Sequence, residues 1–416
     1  ITLLLSVLSA CSNPETSAEK SAPLPGMLFR TRTGEGEAIR GKWWLQGADG
    51  KAPILLSEDT VSHYALEPIV SHNLSYALYE EGQDLWLYDL ITQNKQNITH
   101  TPDCDESFSS WSPDDRTIAY FGCGFDQRDL WLFDLETGEK RNITNTPERF
   151  EYCNFTVDDC TVGWLSDSVV FFSWDKKEGE NDPINKAIFL TRVNKDGTGY
   201  EIIGAENTSG NFSISPDMQK IAVGFGLVYD LKTEQYEKIS PPEFGLDLSK
   251  NAGLDAELVN PSWSPDGKKI VWQIVRISIG YEVGYALFDL EAKTAKLVMT
   301  YTPYYNNLMS ASPLYTWPAT PVKWSADSRW FAFSTRELLE PDSGGNFVYV
   351  FNRDGESVMR FADGYHPFWE DTGQHLAFSH SGKTNSIDLV SAGRWDIVSQ
   401  IDTQSEPAFL EDWVHK

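Results

Sequence analysis

Apolar residues in this chain fall in short runs, not in helical stripes. "TIAYF" at Thr117, "DLWLFDL" at Asp129 and "KIVWQIV" at Lys269 alternate or are apolar throughout, and Gly, Pro, Asn and Asp bound them. Such runs of about five to seven residues predict strands, whereas a helix needs apolar positions three and four apart over a longer window. Windows of that second kind are scarce. Val, Ile and Thr are common and aromatic residues make up 13% of the chain, which fits pleated, half-buried surfaces. The pattern predicts an all-β protein.

The runs are organised into a repeat. Val70 in "PIVSHNLSYALY", Trp111 in "SSWSPDDRTIAY", Phe155 in "CNFTVDDCTVGW" and Ile214 in "NFSISPDMQKIAV" occupy one equivalent position. Trp263 in "PSWSPDGKKIVW", Trp324 in "VKWSADSRWFAF" and Trp369 in "PFWEDTGQHLAF" continue the series. The spacing is roughly forty to sixty residues, with four β segments per unit, which is the mark of a propeller blade. In the unit from Trp111 to Thr144, "FSSW" is strand A, "SPDD" a tight turn and "TIAYF" strand B. "DLWLFDL" is then strand C, "ETGE" a second turn and "KRNIT" strand D. Pro presets φ in the first turn and Asp bonds the turn backbone.

Two partial units flank the series. Residues 26–56 supply strands B, C and D without A, and "EPAFLEDW" at Glu406–Trp413 reads as an A strand without a blade. A C-terminal strand completing the N-terminal blade would close the ring and hide its edges. Eight four-stranded blades are expected over residues 26–416. Seven is the alternative, because the Phe155 unit admits a second alignment in which "GWLSDSVVFF" from Gly163 is its A–B hairpin.

"PSWSPDGKKI", "DLWLFDLETG" and the following "NIT" together resemble the TolB-type, or WD40-like, β-propeller repeat. The resemblance covers residues 26–416 and is sharpest at Trp111–Thr144 and Trp263–Leu297. It implies that the repeated Trp fills space between blades. It also implies that Asp84 and Asp129, ahead of "LW", bond the neighbouring strand.

Charge narrows the function. With 34 Lys and Arg against 61 Asp and Glu, the net charge is −27, and no basic cluster exists to neutralise phosphates. Nucleic acid is therefore excluded as a partner. The opening run from Ile1 to Ala10 is apolar and uncharged but shorter than the roughly 20 residues that span a bilayer, and reads as part of a signal peptide over residues 1–10. It ends "LSAC", which resembles the bacterial lipobox. That resemblance implies lipidation of Cys11, and Ser12 after it implies the outer membrane, facing the periplasm. Residues 11–25 are polar and Pro-rich, as a lipidated flexible tether would be. The expected membrane contact is through this lipid anchor.

Four further cysteines in an exported chain point to disulfides. Cys104 and Cys123 centre on the "SPDD" turn, and Cys153 and Cys160 on the matching "TVDD" turn, so the hairpin register favours Cys104–Cys123 and Cys153–Cys160. No Cys-x-x-Cys spacing supports a thiolate metal site.

Candidate chemistry is sparse. The repeat also occurs on serine peptidases of the prolyl oligopeptidase type, but their Gly-x-Ser-x-Gly elbow does not occur here. An oligogalacturonate-lyase-like propeller, which uses His around a metal, is the enzymatic alternative. His63, His72, His100, His366, His375, His380 and His415 are scattered and read as structural, with His375 inside strand B, His380 just beyond it, and no paired carboxylate motif. No enzyme activity, cofactor or metal is expected. The long insertions are all B–C or D–A connections, which share one face of a propeller. One of them carries Tyr301, Tyr304, Tyr305, Tyr315 and Trp317. Aromatics with polar tips suit a protein or glycan contact. The sequence thus predicts a lipid-anchored envelope propeller that binds a protein or an envelope polymer.

Overall fold

A computed structural model describes residues 26–414 except 34–39, 47–52, 61–68, 74, 83, 102–105, 123–128, 145–149, 152–161, 176–187, 204–211, 248–255, 277–281, 302–321, 340–342, 371, 382–384 and 403–407. It is an eight-bladed β-propeller. Each blade is an antiparallel sheet in spatial order D-C-B-A, as the repeat requires.

Blade 1 is the composite. Its strands B, C and D are Gly26–Thr33, Arg40–Gln46 and Ile54–Thr60, and its strand A is Ala408–Val414 from the far end of the chain. Gly26 lies opposite Val414 and Thr31 opposite Ala408, with a bulge after Leu28. Alternate residues of this first B strand enter two different cores. Met27 and Phe29 pack with Ala377, Ile387 and Leu389 of blade 8, whereas Leu28 joins Ala77 and Tyr79 of blade 2. Strand alternation is thus what welds the closing blade to both neighbours.

The repeated Trp does more than fill space. The Trp369 indole N–H donates to the Lys323 carbonyl at 3.0 Å, Trp324 to Ser262 at 3.3 Å, Trp263 to Ser213 at 3.1 Å and Trp164 to Ser110 at 3.0 Å. Every acceptor immediately precedes the equivalent position of the blade before. Each indole therefore lies in an inter-blade core and also satisfies a backbone carbonyl of the neighbouring strand A, as a buried N–H must.

This series corrects the alignment of the fourth unit. Trp164, not Phe155, holds the repeat position. The A strand is split into Phe150–Glu151 and Val162–Trp164, both paired with the B strand Ser168–Asp175. The A–B turn is closed by the Leu165 N–H on the Ser168 carbonyl, so the "GWLSDSVVFF" alignment is the right one, and the count of eight still holds. In sequence, Cys153 and Cys160 consequently fall between the two pieces of strand A instead of either side of the A–B turn. All four of these cysteines, and Cys11, lie outside the described residues. Glu106 is the first described residue after Cys104 and Gly122 the last before Cys123, and both lie at the same end of the blade 3 A–B pair, where Ser107 faces Phe121.

Removing residues after Thr403 deletes strand A of blade 1 and bares the edge of Gly26–Thr33. The expected loss is about 5 kcal/mol or more, the order of a whole domain's stability. Urea unfolding of the truncated chain measures it, and a midpoint equal to the parent's contradicts the closure.

Candidate functional site

The two faces of the ring differ. The A–B connections at 112–116, 215–219, 264–268 and 325–329 and the C–D connections at 135–139 and 290–293 are tight turns; this is the turn face. The B–C and D–A connections on the opposite, loop face range from Asp363 alone, between blades 7 and 8, to 302–322, between blades 6 and 7.

In blades 3, 5, 6 and 7 one hydroxyl organises the turn. Ser264 Oγ donates to Asp266 Oδ1 at 2.6 Å and accepts the Lys269 N–H at 2.9 Å, closing the turn with one buried atom. Ser112, Ser215 and Ser325 repeat the arrangement with Asp114, Asp217 and Asp327. Turns of adjacent blades are then linked. Asp115 takes the His72 and Asn73 N–H groups at 2.8 and 2.6 Å, and Ser328 Oγ takes the Asp266 N–H at 3.0 Å. The hydrogen bonds within the turns hold Asp114, Asp217, Asp266 and Asp327 below the usual carboxylate range. For Asp114 and Asp217 the serine hydroxyl is the main cause. For Asp266 and Asp327 burial pushes upward, but the hydroxyl, the turn N–H and Arg353 or Arg329 outweigh it.

Asp84 and Asp129, flagged in the sequence, tie strand C to strand D. Asp84 accepts from Asn97 Nδ2 at 2.6 Å and the Thr101 N–H at 2.9 Å, and Asp129 from Asn142 Nδ2 at 2.7 Å and Thr144 Oγ1 at 3.1 Å. They are structural.

The loop face carries two polar clusters on blades 7 and 8. In blade 8, strand B is His375–Ser381, strand C Asn385–Ser391 and strand D Ile397–Asp402. Asp388, 1% exposed, accepts from Ser386 Oγ at 2.7 Å and Gln400 Nε2 at 2.9 Å, and lies 3.1 Å from His380 Nδ1. A carboxylate oxygen accepts, so in this hydrogen bond Nδ1–H is the donor and Nε2 is the nitrogen left over. The blade 7 strands Trp330–Leu339 and Ser343–Asn352 hold the second cluster. Glu337 accepts from Thr335 Oγ1 and Tyr349 Oη, both at 2.8 Å, and Arg360 lies 3.6 Å above the Phe347 ring. Burial, then the Glu337 carboxylate, pushes the Tyr349 phenol up to about 12.

Two expectations about histidine change. His380 lies inside strand B, and His375 and His380 both have buried carboxylate partners. His375 Nδ1 is 2.8 Å from Glu370, which replaces the turn serine of blade 8. Sequence reading missed Asp388 because the pairing is diagonal. His380 faces Ser386, so Asp388 is its neighbour two residues along the opposing strand. The hairpin register of "HLAFSH" against "NSIDLV" was the available signal.

Of the five candidate aromatics, Tyr301 ends strand D of blade 6 and is 9% exposed, packed with Tyr285, Val322 and Phe333 between blades 6 and 7. Its ring belongs to the core. Tyr304, Tyr305, Tyr315 and Trp317 lie outside the described residues. Two other predicted loops are partly structured. Pro241–Phe244 forms a 3-10 turn whose Phe244 packs on Phe288, and "TRELLEPDSGGN" largely continues the blade 7 ladder, with Leu339 opposite Ser343.

Neither a protein-family model nor a characterised protein sequence matches the chain. Solved structures do. An oligogalacturonate lyase from Vibrio parahaemolyticus superposes with a TM-score of 0.55 at 13% identity, over 89% of this chain and 98% of the lyase. An oligogalacturonate lyase in complex with manganese gives 0.52 at 14%, over 88% and 96%. Dipeptidyl peptidase 4 of Porphyromonas gingivalis gives 0.54 at 10%, over 90% of this chain and 59% of the peptidase. At such identities the likeness establishes the propeller architecture alone.

The turn aspartates set an acid limb. Their carboxyls protonate less readily folded than unfolded, so the stability they confer is complete above the usual carboxylate range, about pH 4. It is lost as pH falls through and below that range. Acidification also relieves self-repulsion at −27, with the opposite sign, so a variant comparison isolates the turns. Ser264→Ala strands a buried N–H, costs about 1–3 kcal/mol at neutral pH, and flattens the acid limb of thermal unfolding. A variant with the parent's melting curve at both pH values rules the hydroxyl out as the organiser of the turn.

Proposed function

We propose that the protein is a lipid-anchored propeller of the bacterial cell envelope that binds a protein or an envelope glycan through its loop face. The observation that carries this reading is the segregation of the connections. The turn face is spent on bonds within and between turns, while the long connections 176–187, 239–255 and 302–322 all leave the other face. Long connections displayed on a rigid scaffold are where binding residues concentrate. Tyr304, Tyr305, Tyr315 and Trp317 fall on the longest of them and supply large rings with polar tips. Capture from envelope membranes tests it. Tyr305→Ala with Trp317→Ala is expected to weaken retention of a captured partner by about 30-fold or more, as anchors of about 2 kcal/mol do, with the melting temperature unchanged. Retention unchanged alongside a lower melting temperature would make these rings core residues and sink the reading.

A second reading is favoured by His380. Its Nε2 has no partner among the described residues, Asp388 fixes its tautomer, and it lies on the loop face of a fold shared with oligogalacturonate lyases. The pair is equipped to remove a proton from a substrate. Among the described residues no group of three or more His, Cys, Asp or Glu is placed to hold a metal ion, so no step is assigned to one. Incubation with oligogalacturonate, with and without manganese, is the direct assay. Formation of an unsaturated product by the parent but not by His380→Asn would establish the enzyme, and no turnover under either condition removes it.

A further inference from the structure

Large aliphatic residues exposed on this protein are not scattered. Six are recorded among the described residues, and five sit on three consecutive blades. Ile397 and Val398 begin strand D of blade 8, at 53% and 41% exposure. Ile54 and Leu55 begin strand D of blade 1, at 42% and 43%. Ile91, at 74%, lies in the C–D turn of blade 2. Blades 8, 1 and 2 are neighbours because strand A of blade 1 closes the ring, and all five positions follow or occupy a C–D connection. They form one arc on the outer rim of the turn face. The sixth, Ile202, is on blade 4. Isolated exposed aliphatics need no explanation, whereas a set gathered at the same level of neighbouring blades is a candidate contact surface.

Two further observations say what covers the arc. The first is local charge. In the described stretches 89–95 and 391–398, Asp89 and Asp396 are balanced by Lys95 and Arg394, so these two C–D connections carry no net charge on a molecule carrying −27, and on blade 1 the acidic Glu58 and Asp59 come only further along strand D, away from its turn-face end. This part of the rim can approach a surface that repels the rest. The second is where the chain enters the fold. Strand B of every blade runs from the turn face to the loop face, and the strand that starts at Gly26 is strand B of blade 1. The tether from Cys11 therefore joins the turn face at the centre of the arc. A coil of some fifteen residues, which is what the anchor reading makes of this polar, Pro-rich sequence, has a root-mean-square reach of about 20 Å, so a lipid on Cys11 would keep the bilayer beside these blades.

We infer that the turn-face rim of blades 8, 1 and 2 rests on the bilayer surface and directs the loop face away from it. This rests on the anchor reading. Weak apolar contacts suffice, because a lipid anchor on Cys11 would already supply a high local concentration.

Hydrogen exchange of the full lipidated chain tests the inference, comparing phosphatidylethanolamine–phosphatidylglycerol vesicles with detergent micelles. Segments holding Ile54–Leu55, Ile91 and Ile397–Val398 are expected to exchange several-fold slower on vesicles, with the segment around His380 unchanged. Ile91→Asp with Ile397→Asp keeps the chain on the vesicles and abolishes that protection. A parent chain that pellets with vesicles while its rim exchanges as in detergent overturns the docking alone. A parent chain that does not pellet, or a Cys11→Ala chain that pellets equally, overturns the anchor and this proposal with it. Rim protection in detergent that grows with protein concentration would assign the arc to a second copy and overturn the bilayer.

Discussion

Everything in this molecule depends on hydrogen-bonding the two ends of the chain into one sheet. A ring of blades is stable only if the first and last are joined, because an open series leaves two faces of apolar side chains and an unpaired strand edge in water. The pairing of Ala408–Val414 with Gly26–Thr33 meets that constraint with about seven residues of strand. It works because Met27 and Phe29 point into blade 8 while Leu28 points into blade 2. The residues that first read as the start of a domain are thus the keystone between its beginning and its end.

Around the ring the same two problems recur: how to end a strand in a tight turn, and how to hold one blade to the next. Both are solved with polar groups that cannot be left unpaired. The Ser–Asp turn satisfies backbone N–H groups with one hydroxyl and one carboxylate, and the indole N–H caps a carbonyl of the preceding blade. Because those bonds consume the turn face, sequence freedom is left on the other side. Long connections accumulate there, and so do polar clusters such as His380 with Asp388 that no turn requires.

The fold was legible because its constraints are local in sequence. A Trp followed by Ser-Pro-Asp announces a strand and its turn wherever it occurs, and the orphan strand at Glu406–Trp413 announced the closure. Legibility failed where the spacing was interrupted. In blade 4 the A strand is broken by residues 152–161, so "TVDD" imitated the turn signature while the true turn, at Leu165–Ser168, lacks the Ser-Pro-Asp spelling. Side-chain constellations were harder still. Asp388 and His380 meet only through the diagonal of a hairpin whose register depends on the length of its B–C connection. Tyr301 looked like a member of an aromatic loop because its strand continues to the last residue before residues 302–321, and only the strand boundary separates a core ring from its neighbours in sequence.

A propeller has no hinge through which its two faces can be uncoupled, so what attaches to one face sets the orientation of the other. The strand that begins at Gly26 starts on the turn face, between the blades that carry five of the six exposed large aliphatics among the described residues. Its long connections leave on the opposite side. If the entry side is held against a bilayer, acidic self-repulsion from an anionic surface tips the rest of the ring outward, and the conformational cost of presenting the loop connections is met once, by the scaffold. The same geometry serves a binding module and an enzyme equally well, since each needs a rigid face turned towards the compartment where its partner or substrate resides. What separates them is whether a group on that face is poised to move a proton. Among the described residues of that face, His380 has a buried carboxylate, Asp388, at one imidazole nitrogen, and that pair is where a test for proton transfer begins.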